Sequence, residues 1–478
     1  MLDKIVNILQ QQCKIDANNS LLLGLSGGPD SLCLLHVLVQ AGYSIVALHV
    51  NHGLRIEADN EVKHVEDVAS SLKVEFASIK LDVLAYSRQH QVSIEEAARI
   101  LRYQVLFEQA HARRASAVVV GHTADDQVET ILLHLLRGTG IVGLRGMQIR
   151  KLPNPWSAEI PLLRPLLSTW RVEIQQYIDA HGLVAIFDQS NQDVSFLRNR
   201  IRHELLPLLD HYNPSFRESL LRMGESMKED FSVIQDLVSK AWDSLLIQQG
   251  SGFLRFNTAE FLELPPSIQR YLLRKAIEYH LPGLRDVGFD CIERGLNLLA
   301  GDLPGKQTDL IAGIRLVKEG DDFWLVSNQV TLPLTEFPAI SPDEQIVLQI
   351  PSRHELGTGW QLDVEEVCDP EAIRRESSSN SDPYQAWIDI SEVKLPLVAR
   401  TRHPGERIHS LGLNGHSTKI SDLMINLKLP ERARLTWPLV CSGDEVLWVP
   451  GYRLSYLVQV KPDSVKALHL ILGRRQVS

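Results

Sequence analysis

The chain is poor in cysteine and has no close cysteine pair. Cys13, Cys33, Cys291, Cys368 and Cys441 are scattered, odd in number, and form no CxxC. That pattern suggests neither a disulfide framework nor a thiolate metal site. A reduced cytoplasmic location is the expectation. No apolar run approaches the roughly 20 residues a membrane-spanning helix needs, so no membrane association is expected. The N-terminus, MLDKIVNILQQQCKIDANN, lacks the basic start and long apolar stretch of a secretory signal. Net positive charge is missing as well. The formal balance is −10, which argues against a generic nucleic-acid coat. No internal repeat is visible.

What is present is an ordinary globular composition, 44% hydrophobic and 23% charged, over 478 residues. At roughly 100–200 residues per domain this allows two to four domains. SLLLGLS (20–26), SIVALHVN (44–51), VEFASIKL (74–81) and AVVVGH (117–122) are short runs rich in Leu, Ile and Val. They have the look of strands buried on both faces. Helix-like runs at 31–41, 57–72, 93–114 and 125–137 alternate with them, and Ser93 with Glu96 forms a capping-box pattern. The alternation predicts an α/β domain with a parallel sheet and right-handed crossovers, placed at 1–209. EIPLLRPLL adds a strand-like run, STWRVEIQQYIDAHG an amphipathic one, and DQSNQDVSF a polar loop.

A mostly helical middle domain is expected at 210–330, closed by GIRLVKEGDDFWLVS as a hairpin with a D-D turn. ESSSNSD (376–382) reads as a polar loop or linker. Residues 331–396 carry 4 Lys/Arg and 13 Asp/Glu, a local −9, while 397–478 carry 12 and 6, a local +6. An acidic connecting segment is therefore expected before a small basic α+β domain. A basic domain can face phosphates, or can be only a solvated surface.

In open α/β sheets, ligands sit beyond the carboxyl ends of the strands. The first strand stops at Ser26-Gly27-Gly28-Pro29-Asp30-Ser31 and a helix opens at once. Free backbone N–H groups and the helix dipole attract an anion there. Two glycines let the backbone approach phosphate oxygens, and Ser26 and Ser31 add hydroxyl donors. Asp30 does not suit a phosphate; it suits a Mg²⁺ that bridges phosphate oxygens. Neither GxxxxGK[ST] nor GxGxxG stands in this loop, which disfavours a phosphoryl-transfer P-loop and a dinucleotide fingerprint. The bland alternative is a plain strand–turn–helix, since S-G-G-P-D is good turn chemistry.

Two further constellations fall on the same sheet edge. LHVNHGLR (48–55) carries His49, Asn51, His52 and Arg55. No third ligand stands nearby at zinc spacing, so a nucleotide- or substrate-lining role is preferred. GHTADDQVET (121–130) ends a strand at His122 and puts Asp125, Asp126 and Glu129 in the first turn of the next helix. Asp126 and Glu129 share a helical face. Acids there complement the helix dipole. Beside a His they could also hold a cationic amino substrate or a second metal, or accept protons from an attacking amine. Arg99 and Arg102 in EEAARILRY share a face too, either as surface ion pairs or as cations for developing phosphate charge.

SGGPDS resembles the SGGxDS loop of the N-type ATP pyrophosphatases, which cleave ATP between its α and β phosphates and adenylate a substrate oxygen. HVNHGLR, EEAARILRY, GHTADDQVETILLHLLRGTGIVGL, LLRPLL and LRNRIRHELLPLL follow in the order found in one family. With the C-terminal RHPGERI, KISDLMINLKLPERAR and EVLWVPGYR, the chain resembles tRNA(Ile)-lysidine synthetases over nearly its whole length. Residues 245–390 match only by position and size.

The resemblance implies a Rossmann-like sheet of PP-loop ATPase topology, with ATP and Mg²⁺ as cofactors. The partners it implies are L-lysine and tRNA(Ile) bearing a CAU anticodon, in a homodimer or a monomer. ATP would adenylate the C2 oxygen of the wobble cytidine, and lysine would then displace AMP to give lysidine, switching decoding from AUG to AUA. Ser26, Gly27, Gly28, Pro29 and Ser31 would hold the leaving pyrophosphate, and Asp30 the metal. His49 and Asn51 would line the nucleotide. Arg102 would meet charge on the α-phosphate or the nucleobase side. Asp126 and Glu129 would bind the lysine ammonium groups, and His122 would orient the base or assist proton transfer. Arg198, Arg200 and Arg202 would contact tRNA phosphates, or form helix-surface charge. The wobble base must turn outward to be reached. The rivals are another PP-loop tRNA-modifying enzyme, such as a tRNA cytidine thiolase, and a catalytically inactive tRNA-binding protein. The missing CxxC argues against the first, and the intact Ser26, Asp30, Asp126 and Glu129 against the second.

Overall fold

The computed structural model describes residues 1–53, 58–186, 196–282, 284, 287–301, 306–409 and 417–475, without the side chains of 58–60. Arg55 and most of the polar loop read at 188–196 lie outside the described residues. The chain divides into two compact units. One is Met1–Ser239 with Pro282–Arg285; the other is Lys240–Leu281 with Asp286–Ser478. No helix among the described residues is long and apolar enough to cross a membrane.

The first unit is built on six strands: β1 (Ser20–Gly24), β2 (Ser44–Asn51), β3 (Glu75–Lys80), β4 (Ala117–Val119), β5 (Arg150–Lys151) and β6 (Leu162–Leu163). Their order is β3-β2-β1-β4-β6-β5. All neighbours run parallel except β5, which pairs antiparallel with β6. The helices are α1 (Leu2–Asn7), α2 (Pro29–Gln40), α3 (Ala58–Ser71), α4 (Val83–His90), α5 (Ile94–Ala112), α6 (Ala124–Leu136), α7 (Ile141–Leu144), α8 (Arg171–Ala180), α9 (Leu197–Arg200), α10 (Leu206–Tyr212) and α11 (Phe216–Leu245). A π-helical turn, Ile201–Leu205, joins α9 to α10. The four strand-like runs became β1 to β4, and α4 formed in a stretch to which no element had been assigned.

Leu21, Leu22 and Leu23 of β1 are fully buried because helices cover both faces. Leu21 and Leu23 pack with Leu34, Leu35 and Leu38 of α2 and Ile174 and Ile178 of α8. Leu22 faces the other way, onto Tyr103, Leu106 and Phe107 of α5. Each such leucine contributes about 1.5–3 kcal/mol. A smaller cluster decides the site. Val128, Ile131 and Leu132 of α6 pack against Ile201, Leu206 and Leu220. This apolar contact brings the turn after α9 alongside the first turn of α6.

The second unit departs from its sequence reading in three places. The expected hairpin forms from Ile314–Glu319 and Asp322–Ser327, but its turn is Gly320-Asp321, with Gly320 at φ +62°. Glycine accepts that left-handed conformation at no steric cost. Leu246–Gly250 and Phe253–Asn257 add a second hairpin to the same five-stranded sheet. Residues 376–379 of the supposed linker end a helix, Pro370–Ser379, started by the Asp369 side chain accepting from the Glu371 amide.

The acidic stretch 331–396 is also more than a connection. Gln345–Leu348 pairs with Leu397–Arg400, and both Trp360–Val367 and Gln385–Asp389 pair with Ala467–Arg474. Leu362, Val364 and Ile388 from the acidic stretch share one core with Leu468 and Leu470. The acidic and basic stretches thus fold as one body, because each contributes the strand edges and apolar faces the other needs.

Gly121, just past β4, is where two strand ends meet. A Cβ there would lie 3.1 Å from the Asp30 carbonyl carbon and the Ser31 amide nitrogen, both backbone atoms. Gly121→Ala is expected to cost about 1–3 kcal/mol in chemical denaturation, as overpacking does. Gly140→Ala, where nothing lies within 4 Å, should cost well under that; equal costs would refute this account of Gly121.

Candidate functional site

The loop between β1 and α2 is shaped by its own serines. The Ser31 hydroxyl donates to the Gly28 carbonyl at 3.1 Å, accepts from the Ser26 amide at 3.2 Å, and lies 3.1 Å from the Ser26 hydroxyl. Gly27 sits at φ +83°, and a Cβ there would strike Val65 and Ile186 at 2.8 Å. Gly28 occupies the N-cap of α2 and Pro29 its first turn, with no side chain capping the helix. The first amides of α2 are therefore left to whatever approaches from the strand end.

Asp30 follows directly. Its Oδ2 lies 3.7 Å from Arg171 Nε, and its Oδ1 is buried without a hydrogen-bond partner. Burial, with Asp126 and Asp125 nearby, pushes its carboxyl up to about 6 against the pull of Arg171. An orphaned carboxylate oxygen beside an anion cradle fits Mg²⁺, which binds through one or two carboxylates plus phosphates and water. Among the described residues no group of three or more His, Cys, Asp or Glu side chains could hold a metal on its own.

Asp126 and Glu129 form the second part. Thr123 caps α6, and the Asp126 Oδ2 accepts from the Thr123 amide at 2.9 Å and its hydroxyl at 3.1 Å, completing a capping box. The Asp126 Oδ1 faces Arg171 at 2.7 Å and Arg198 at 3.1 Å. Glu129, 1% exposed, meets Arg202 at 2.6 Å, Arg198 at 2.8 Å and Arg171 at 3.4 Å. Burial raises both carboxyls. Arg171 ahead of Arg198 for Asp126, and Arg202 with Arg198 for Glu129, outweigh it and hold both below the ordinary range. Asp125 turns away; it accepts from the Arg171 amide at 2.9 Å and pairs with Arg217 at 3.2 Å.

The third part is positive. Arg164, buried at the end of β6, donates Nε–H to His122 Nδ1 at 3.2 Å and Nη1–H to the Gln148 carbonyl at 3.0 Å. Burial first, then Arg164, Arg102 and Arg198, hold His122 well below its ordinary pKa. It is neutral, and because Nδ1 accepts, the ring proton sits on Nε2. Arg99 and Arg102 each lie 5.3 Å from the buried Tyr103 ring, which stacks on Trp156 at 4.3 Å. Among the described residues Arg102 has no carboxylate within ion-pair distance.

Arg198 and Arg202 contact the buried carboxylates, while Arg200 between them is exposed. His49 is buried, with Nδ1 2.9 Å from the Leu25 carbonyl, and the buried Asn51 accepts from the Gly53 amide at 2.8 Å. Both contact backbone groups near the ends of the first two strands. His122 cannot readily take a proton. Arg164 and Arg171 were missed, though both stood in stretches singled out as strand and helix; only their position at strand and helix ends pointed to the site. Cys13, Cys33 and Cys441 are buried, with burial pushing them up to about 11, 12 and 12, so none is a ready nucleophile.

Residues 1–209 match a family described as a PP-loop domain, and residues 397–470 match the TilS substrate C-terminal domain. A tRNA(Ile)-lysidine synthase from Dehalococcoides mccartyi is 32% identical, with 98% of each chain covered. One from Geobacter sulfurreducens is 32% identical over 95% of this chain and 93% of its own. One from Clostridioides difficile is 27% identical over 98% and 99%.

The Asp30 carboxyl supplies a pH test. Its folded value near 6 exceeds the usual 3.8, so its ionisation costs the folded state, and that cost grows as pH rises from about 4 through 6. In metal-free buffer Asp30→Asn is expected to be more stable than the parent by about 1–3 kcal/mol at pH 7.5. The gain should vanish near pH 4. A destabilised variant at pH 7.5 would show that the ionised carboxylate is a net stabiliser.

Proposed function

The chain belongs to the tRNA(Ile)-lysidine synthase family, and we infer from that premise that it joins lysine to C2 of the wobble cytidine of a CAU-anticodon tRNA(Ile). ATP is converted to AMP and pyrophosphate in the process. The observation that carries this reading is one juxtaposition. An uncapped Gly/Ser loop with an orphaned aspartate oxygen stands beside a buried acid pair bridged to it by Arg171.

The cytosine C2 carbonyl is a poor electrophile, and its oxygen is a poor leaving group. ATP cures both faults by adenylating that oxygen and releasing pyrophosphate. In this reading the Ser26–Ser31 loop and the first amides of α2 hold the departing phosphates. Asp30 would hold Mg²⁺, which when bound screens the charge of the triphosphate. Arg102 with Arg99 and Arg164 offsets charge gathering on the α-phosphate. His122, neutral with its proton on Nε2, acts as a hydrogen-bond donor that orients the base.

Asp126 and Glu129 stay ionised and bind the ammonium groups of lysine. The ε-amine attacks C2 and AMP departs. The amine's proton is lost to water, since His122 and the two ionised carboxylates all hold a proton poorly. Residues 1–209 are read as catalytic, 210–330 as a substrate-binding part, and the body formed by 331–478 as the tRNA-holding part. The missing CxxC leaves a thiolase reading without its expected cysteine pair.

The test is lysine incorporation into CAU-anticodon tRNA(Ile) with ATP, followed by pyrophosphate release. Stoichiometric incorporation is expected; its absence with intact protein and tRNA would overturn the reading. Asp30→Ala is expected to lose pyrophosphate release by at least about a hundredfold, as loss of a key electrostatic group does, while retaining tRNA binding. Full turnover in that variant would refute the role given to Asp30.

A further inference from the structure

Three guanidinium groups crowd two carboxylates that, in the reading above, must accept a cationic amino acid. Asp126 and Glu129 are already compensated by Arg171, Arg198 and Arg202. A lysine ammonium therefore meets a pair with little charge left to offer, unless one guanidinium leaves.

The geometry says which one can leave. If Arg202 withdraws, the buried Glu129 loses a two-point contact at 2.6 and 3.0 Å; if Arg198 withdraws, Glu129 loses its 2.8 Å contact and Asp126 its 3.1 Å one. Either loss removes a close partner from a carboxylate that stays buried, which is costly. Arg171 touches Glu129 only at 3.4 Å, and Asp126 keeps Arg198 and the Thr123 amide when it goes. Arg171 is also the most exposed of the three, at 32% against 30% and 22%. Its Nε already lies 3.7 Å from Asp30 Oδ2, at the edge of the loop that would receive phosphates. Guanidinium groups bind phosphate oxygens in a bidentate fork.

We propose that Arg171 is a positioning residue that couples the two halves of the site. With the loop empty, its guanidinium occupies the carboxylate pair. With a triphosphate in the loop, it turns from Asp126 and Glu129 toward the phosphates, and the pair opens to the lysine ammonium group. Lysine binding then follows nucleotide binding, and by reciprocity lysine tightens the nucleotide equally. A ligand moves such an equilibrium only through its different affinity for the two arrangements, and the phosphate–guanidinium contact supplies that difference. The inference rests on the assignment of ATP to the loop and lysine to the carboxylates.

The experiment is calorimetric titration of the full chain with L-lysine, with and without Mg²⁺ and α,β-methylene-ATP, which resists cleavage at the bond that reacts. In the parent protein the nucleotide is expected to tighten lysine binding fivefold or more. In Arg171→Gln the nucleotide effect is expected to fall below twofold, with lysine binding nucleotide-free protein about as tightly as it binds the parent's nucleotide complex. Arg171→Lys keeps the charge but not the fork; its coupling is expected to fall to less than half the parent's, and it decides the matter if the Gln variant does not fold. A nucleotide effect under fivefold in the parent, or undiminished coupling in a folded variant, overturns the inference and leaves the proposed reaction standing. A parent protein that binds lysine in neither state overturns the lysine assignment itself.

Discussion

Everything at the strand ends of the first unit depends on keeping two buried carboxylates charged. Taking Asp126 and Glu129 out of water costs several kcal/mol each, and their attraction to a partner offsets this only with good geometry and satisfied lone pairs. The fold meets that demand from three separate segments. Arg171 opens α8, Arg198 lies in α9, and Arg202 lies in the π-helical turn after it. Thr123 completes the shell from the start of α6 itself. The apolar contact of Val128, Ile131 and Leu132 with Ile201 and Leu206 holds those segments in reach. The ion cluster and the small core beneath it are thus one construction: neither set of contacts stays in register without the other.

Across His122 the electrostatic logic reverses. Arg99, Arg102 and Arg164 gather around Tyr103 and His122. Burial first and then this field depress the His122 imidazolium, and against burial the same arginines depress the Tyr103 hydroxyl. A site with one compensated half and one positive half suits a reaction in two charge regimes. The first step gathers negative charge on a phosphate; the second brings in an ammonium group. Gly121 keeps the halves adjacent, since a side chain there would push β4's end away from the Asp30–Ser31 backbone.

The sheet was legible because its strands are local. Leu21 to Leu23, Ile45 to Leu48 and Ala117 to Val119 are apolar runs whose neighbours in sequence declare them. The anion loop was legible for the same reason, since six consecutive residues build it. The carboxylates were legible because Asp126 and Glu129 stand three apart, on one face of a helix that opens at a strand's carboxyl end. Their partners were not, because Arg171, Arg198 and Arg202 stand 42 to 73 residues from Glu129 and no local rule pairs such groups. Read as a string, Arg198-Asn199-Arg200-Ile201-Arg202 is a basic surface stripe. Arg198 and Arg202, four residues apart, share the helical face that turns inward to the carboxylates, and Arg200 between them falls outside. His49 and Asn51 stand at a ligand-facing strand end, and their contacts with the Leu25 carbonyl and the Gly53 amide were likewise not written in any local rule.

The charge pattern of the last third teaches the same lesson in the second unit. Summed along the chain, −9 is followed by +6 and suggests an acidic spacer ahead of a basic face. In space the two signs meet. Lys461 pairs with Glu392, Lys466 with Glu366, and Arg475 with Glu355. These pairs are exposed and screened by solvent, so they add little to stability. Their consequence is electrostatic more than energetic: a cation already paired releases little on meeting a phosphate. Arg400 is lost to Glu406 in a buried pair, and Arg432 to Glu319 and Glu336. Under the proposed tRNA-holding role, the RNA backbone would meet the cations that have no carboxylate partner among the described residues, a smaller set than the linear count suggests. A chain with a net charge of −10 can hold one RNA in register on such a set, because selectivity then depends on where those few cations stand rather than on how many the sequence contains.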